Sequence, residues 1–432
     1  MSAFTEGPAR RALFAVLTVA LSLVAPGALA AEATTGPAID LPDEHPPEDH
    51  DTPEVDPIHG RGAGHVHVGT RTVLGGYGEL HFNWAKKEGA DPTAVVDLHR
   101  LVLFVGHAFN DAIRFAAEIE VEHALISDGG PGEVAIEQAY VDWDLIGHAL
   151  TLRAGALLVP MGRINRWHEP PIFLGVERPN VDRRIIPTTW TEAGIGLMGE
   201  AGKYLRWEAY LVSGLDPAGF SMSNGLRGGR QKVAEAMAKS WALAFRAEVE
   251  PILGLTAALS GYAGRMGRNL GDRVDATGAK LDLAVPVGGL AIDATFKRWG
   301  LELNAQLATF FIGDTAGMRR AVDADGVAGG LDVASQILGG YLEAGFDVLS
   351  LVESTEIQLI PFLRFEHIDT AFKVTGRPRT AADRSRAVNE VVVGLQLEPI
   401  PQLAFKTNVI FSMPGGGAPS ETRFDAGLGF MF

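Results

Sequence analysis

Six arginines gather around one stretch of this chain. Arg163, Arg166, Arg178, Arg183 and Arg184 fall within residues 160–187, where only Glu169, Glu177 and Asp182 oppose them, and Arg153 lies just upstream. A guanidinium is always charged and presents several donors in a plane, which suits carboxylate and phosphate. Several of them at a narrow point attract anions, more strongly than on an open surface. The middle of the stretch (Trp167, His168, Pro170, Pro171, Ile172, Phe173 and Leu174) is stiff and partly apolar. A loop with that much to pack is expected to rest on a wall. The six arginines are therefore candidates for an anion-binding constriction. The competing assignment pairs them with nearby acids such as Glu118, Glu120, Glu122 and Asp142, leaving a neutral or cation-preferring passage.

The elements that position them alternate with period two, as strands with one apolar face do. Leu74, Leu80, Phe82 and Trp84 oppose Tyr77, Glu79, His81 and Asn83. Ile113, Phe115, Ala117, Ile119 and Val121 oppose Arg114, Glu118, Glu120 and Glu122. Leu152 and Ala154 oppose Thr151 and Arg153, and Val393 and Leu395 oppose Glu390 and Gln396. In a transmembrane barrel the apolar set faces lipid and the polar set a watery lumen. Glu79, Arg114, Glu118, Glu120, Glu122 and Asp142 are on this account lumen-lining.

The chain stops on Phe432, after Phe424, Ala426, Leu428 and Phe430 at every second position. A strand with a wholly apolar outward face suits the closing strand of a membrane barrel, since lipid meets that face and neighbours pair its edges. The segments number about sixteen if residues 264–288 are one loop. Connections alternate between short and long, as expected when short turns lie on the periplasmic side and long loops outside. Trp84, Trp143, Trp190, Trp207 and Trp299 fall near strand ends, where an interfacial aromatic girdle is expected. The fold class is thus all-β, an antiparallel transmembrane barrel of about sixteen strands with an inward-folded third loop.

The 432 residues carry a net charge of −16 and no cysteine, which excludes disulfides and thiolate metal sites, and no basic face argues for nucleic acid. Mean hydropathy is +0.11, low for a helical membrane protein. Residues 1–30 read as a cleaved signal peptide, with Arg10 and Arg11, an apolar run from Ala12 to Val24, and Ala28-Leu29-Ala30 as the cleavage motif. Residues 31–70 read as an acidic, Pro- and His-rich disordered leader. Residues 71–432 read as the barrel. His65-Val66-His67 has metal-ligand spacing, but solvated linker histidines are commoner, so neither a metal nor a cofactor is expected.

The segment Arg153-Ala154-Gly155-Ala156-Leu157-Leu158-Val159-Pro160-Met161-Gly162 resembles the one before the third loop in the phosphate-selective porin O and P family. That family shows Arg-x-Gly, a few apolar residues, then Pro-x-Gly. The preceding Glu137-Gln138-Ala139-Tyr140-Val141-Asp142 is similar too. The similarity extends over residues 72–432 and is sharpest from Leu98 to Gly199. It departs in Ala156 and Leu157, where the family often has Gln or Lys, and in a scarcity of lysine. The resemblance implies a sixteen-stranded homotrimeric porin for anions such as phosphate, seated in the outer-membrane lipid of a Gram-negative bacterium. It carries over Arg153, Pro160 and Gly162.

The leading expectation is a passive channel for small inorganic or organic anions. A general or cation-preferring porin is one alternative, and a non-conducting structural or adhesive barrel another. A barrel enzyme is disfavoured: His81, His99 and His123 coexist with Ser213, Ser221 and Ser223, but no nucleophile–His–acid arrangement stands out, and the histidines read as pore-lining or girdle residues.

Overall fold

A computed structural model describes residues 65–67 and 71–432, except 128–129, 148, 203, 268–284, 321–330 and 353–354. Residues 1–30, read as a signal peptide, and most of residues 31–70, read as a leader, lie outside the described residues. Within that leader stretch, a short strand β1 (His65–His67) pairs antiparallel with the start of β2, Val66 opposite Leu74.

Sixteen long strands follow. They are β2 (Thr72–Lys87), β3 (Thr93–Ala108), β4 (Ile113–Glu122), β5 (Glu133–Ile146), β6 (Leu150–Leu158), β7 (Thr191–Ala201), β8 (Leu205–Ser213) and β9 (Trp241–Ile252). Then come β10 (Leu255–Met266), β11 (Val285–Arg298), β12 (Leu301–Ile312), β13 (Gln336–Phe346), β14 (Gln358–Lys373), β15 (Ala387–Ile400), β16 (Leu403–Pro414) and β17 (Glu421–Met431). Each pairs antiparallel with its chain neighbours, and β17 pairs with β2 to close the ring, from Glu421 opposite Lys87 to Met431 opposite Tyr77. The backbone of Phe432 exchanges hydrogen bonds with Gly76 at 2.8 and 2.9 Å. The apolar terminal strand is therefore the seam, and closure leaves no barrel edge unpaired.

Connections sort by end as expected. At one end lie 109–112, 147–149, 202–204, 253–254, 299–300, 347–357 and 401–402. At the other lie 88–92, 123–132, 159–190, 214–240, 267–284, 313–335, 374–386 and 415–420. The outward set is exposed: Leu243, Ile292, Leu363, Phe365 and Phe405 all face out, while Glu79, Glu118, Asp142, Arg246 and Glu366 on the inner face are buried.

The interior departs from a uniformly polar, water-filled lumen. Its main apolar core lies inside the ring, where Met161, Ile185, Ile186 and Trp190 from the third loop and Leu226 from the fourth meet Tyr262, Phe310, Ile337 and Tyr341 from strands β10 to β13. Toward the long-loop end those strands carry apolar residues on both faces, one toward lipid and one toward the loops, while Asp293, Glu302, Asn304 and Glu343 keep the rest of their inner face polar. Trp190 is a correction to the girdle expectation. It is fully buried in this core, 4.7 Å from the Tyr262 ring and 6.0 Å from Phe310. Trp143 and Trp299 are exposed, as girdle residues require.

Candidate functional site

The third loop, 159–190, is built to turn inward. Asn165 ties its two ends together, donating to the Val159 carbonyl at 2.7 Å and accepting from the Trp190 amide at 2.8 Å. Two glycines of the quoted motif are required by geometry. Gly155 has φ 144°, and a Cβ there would lie 2.2 Å from the Ala139 carbonyl oxygen. Gly162 has φ 71°, with Ile186 and Gln306 too close to admit a side chain. Glycine alone adopts such backbone readily. The first lets β5 and β6 approach, and the second turns the chain into the loop.

Anchors along the loop reach inner-face residues of many strands. Arg100 on β3 donates to the His168 carbonyl at 2.6 Å, and His168 Nε2 lies 3.2 Å from Glu137 on β5. The Val176 amide donates to Asn408 on β16 at 2.8 Å. Asn180 donates to Glu390 on β15 at 2.6 Å, and the Val181 amide to Glu366 on β14 at 2.5 Å. Gln306 on β12 donates to Asp182 at 2.7 Å. Most lumen carboxylates near the loop thus serve backbone amides and side chains of the loop.

The six sequence-expected arginines divide into two groups. Arg153 is held by Asp142 in a two-pronged pair at 2.7 and 2.8 Å, with its guanidinium 3.8 Å from the centroid of the Tyr140 ring. Arg166 is paired with Glu208 on β8. These two are wall and loop fasteners. Arg163 donates to the Ile172 carbonyl at 2.8 Å and Arg178 to the Thr189 hydroxyl at 3.2 Å, while Arg183 and Arg184 are exposed. None of these four has a carboxylate within ion-pair distance among the described residues. Arg227, from loop 214–240, joins the second group and went unnoticed in the sequence. Burial, then the charge of Arg183, pushes the guanidinium of Arg227 below its ordinary range. Burial, then Arg100, does the same to Arg178. Desolvated cations crowded by like charge are where an anion gains most.

The expected lumen-lining residues all point inward, but most are covered. Glu79, Glu118, Glu120 and Asp142 are buried, Glu79 against Arg100, and Glu118 accepts from Gln138 at 2.8 Å. Glu122 is half-exposed. Arg114 pairs with Asp144, near the short-turn end. A bulge in β5 opposite Glu118 and Ile119 turns Glu137 inward beside Gln138, which simple alternation does not show. The serines considered for nucleophilic chemistry are elsewhere employed: Ser213 donates to Glu192 at 2.6 Å, and Ser221 and Ser223 face each other at 3.3 Å.

No protein-family model matches the chain. A stretch of 206 residues is 39% identical to an uncharacterized protein of Aquifex aeolicus, covering 46% of this chain and 46% of that protein. The match therefore spans just under half the length of the curated relative. Among solved structures, the anion-selective porin of Comamonas acidovorans matches with a TM-score of 0.52 at 13% identity, over 84% of this chain and 99% of that one. OmpF of Salmonella typhi matches at 0.55 and 8% identity, over 85% and 100%. The outer-membrane channel DcaP of Acinetobacter baumannii matches at 0.51 and 11%, over 84% and 97%. The chain has the closed, sixteen-stranded, all-antiparallel barrel fold of the outer-membrane porins.

Proposed function

We propose that this protein is a passive outer-membrane diffusion channel with a preference for small anions, phosphate among the candidates. The observation that carries the preference is the group of unpaired guanidiniums, Arg163, Arg178, Arg183 and Arg184 with Arg227, on loops that pack inside the ring. Several acids that could have cancelled them are otherwise engaged: Asp142 with Arg153, Glu208 with Arg166, Glu366 and Glu390 with loop donors. Export by a cleaved signal peptide, residence in a Gram-negative outer membrane and trimeric assembly belong to the same proposal. The exposed outward apolar faces support the membrane seat. The trimer rests on the family resemblance alone.

The test is electrical. Purified protein added to a planar bilayer should give discrete conductance steps, and in a potassium chloride gradient the reversal potential should take the sign of chloride. Absence of steps defeats the channel. Steps with the potassium sign favour the second reading, in which the fasteners Arg153 and Arg166 leave the inner acids to set selectivity.

A further inference from the structure

Outside the arginine group, the inner wall carries a second concentration of chemistry. Asp97 and His99 lie two apart on β3, and His123 follows the end of β4. Register explains why they meet. Arg100 pairs with Glu79 and Leu98 with Leu80, which leaves His99 as the extra residue of a bulge. Arg100 also pairs with Glu122, so His123 comes alongside, its amide donating to the His99 carbonyl at 3.3 Å. One oxygen of Asp97 lies 2.7 Å from His123 Nδ1 and 3.5 Å from His99 Nδ1, and the three donor atoms all lie within 4.8 Å of one another.

We infer that Asp97, His99 and His123 form a binding site for a divalent transition-metal ion of the zinc type. Two imidazoles and a carboxylate are a donor set that zinc, cobalt and nickel take and that magnesium and calcium do not favour. Bonds of about 2 Å to each donor require the donors to converge about as closely as these do. The side chains are about a quarter to a third exposed, so an ion can enter and keep a water at its open position. The ion takes the place of the proton between His123 Nδ1 and Asp97, and the neutral ring then carries its one N–H on Nε2. The backbone is committed to this placement: His123 and Ala124 both adopt the left-handed region, at φ 55° and 45°. Behind His99 the His81 ring stacks at 4.7 Å, itself held between Glu79 and Glu177 at 3.1 and 3.3 Å. Arg100, a neighbouring cation on the wall, is drawn aside to Glu79 and the His168 carbonyl. Of the two alternative clusters among the described residues, His81, His99 and Glu177 shares His99 but has both His81 nitrogens taken by Glu79 and Glu177, and Glu118, Glu137 and His168 is buried, its His168–Glu137 contact fastening the third loop.

The experiment titrates chelator-stripped, detergent-solubilised protein with zinc by calorimetry, and with cobalt followed by its visible absorption. Wild type should bind one equivalent more than His99→Ala/His123→Ala, and its cobalt spectrum should carry a band that the variant lacks. His65→Ala/His67→Ala should keep that equivalent, and magnesium should not occupy it. Asp97→Asn, a milder change, should lose it while conducting normally in metal-free salt, which separates site loss from misfolding. An unchanged zinc stoichiometry in either site variant overturns the assignment, as does loss of the equivalent in the His65/His67 variant alone.

Discussion

Lys406 on β16 donates its ammonium to the carbonyl of Gly175 at 3.0 Å, in the middle of the third loop. The same nitrogen also serves the carbonyls of Pro170 and Phe173 and lies 4.1 Å from the Phe173 ring centroid. One buried cation thus organises six residues of otherwise irregular backbone. Each such bond to a charged donor contributes roughly 1.5–3 kcal/mol. Lys406→Met removes the donor and strands three carbonyls. We expect the barrel to remain closed while the loop loosens, with larger and noisier single-channel steps. Steps identical to wild type would show that the loop is held elsewhere.

Arg166 and Glu208 fasten the loop to β8, and both are largely shielded. Removing one partner of a shielded pair leaves the other charge uncompensated, which destabilises by about 3–5 kcal/mol. Arg166→Ala should therefore lower thermal stability in detergent far more than Arg183→Ala, whose side chain is exposed and unpaired. Comparing the two unfolding midpoints checks this. Equal midpoints would remove Arg166 from the structural group.

The β5–β6 contact at Gly155 leaves no room for a methyl group, because the nearest atom is a backbone carbonyl that cannot yield without breaking the pairing. Gly155→Ala should fail to fold into a heat-modifiable barrel. Gly202→Ala, in a short turn with nothing within 4 Å, bears only the strain of φ 63° and should fold. Gel mobility of unheated and heated samples distinguishes them.

A contact that resists mild acid is expected away from the pore. In loop 374–386, hydrogen bonds from Arg377 hold the Asp383 carboxyl well below the usual carboxylate range, against a weaker opposing effect of burial. Arg377 also donates to Asp332 at 2.7 Å, tying two loops together, and Asp383 accepts from the Thr380 amide at 2.7 Å. The sign follows from linkage. A carboxyl more acidic when folded adds stability above its unfolded value, near 4, and this is lost only as pH falls through the lower folded value. The amides of Thr380, Asp383 and Arg384 should be as protected from hydrogen exchange at pH 5 as at pH 7, after correction for intrinsic rates. Asp383→Asn should abolish that protection at both. Protection that fades between pH 7 and 5 would contradict the assignment.

Much of the barrel was legible because lipid imposes a strict rule on one face. β4, with Ile113, Phe115, Ile119 and Val121 against Arg114, Glu118, Glu120 and Glu122, reads directly from the sequence, as does the seam strand ending at Phe432. Strand number and the sorting of loops followed. The lumen was less legible, since it is shaped by what the loops place against it. Tyr262, Phe310 and Ile337 look unpatterned until the third loop covers them, and Trp190 looks like a girdle residue until the loop carries it inside. Bulges were the other obstacle. They set Glu137 and His99 beside residues that strict alternation assigns to other faces. Among the arginines, composition found the group but could not separate the fasteners Arg153 and Arg166 from the unpaired members, and it missed Arg227 because that residue arrives from a different loop.

Selectivity set by the unpaired guanidiniums is read as the reversal potential in a potassium chloride gradient, wild type against Arg178→Gln/Arg183→Gln/Arg184→Gln/Arg227→Gln. An anion-selective wild type is expected, with a reversal potential that moves toward zero, or beyond it, in the variant. A cation-selective wild type, or a reversal potential that the four substitutions leave unchanged, would contradict that expectation.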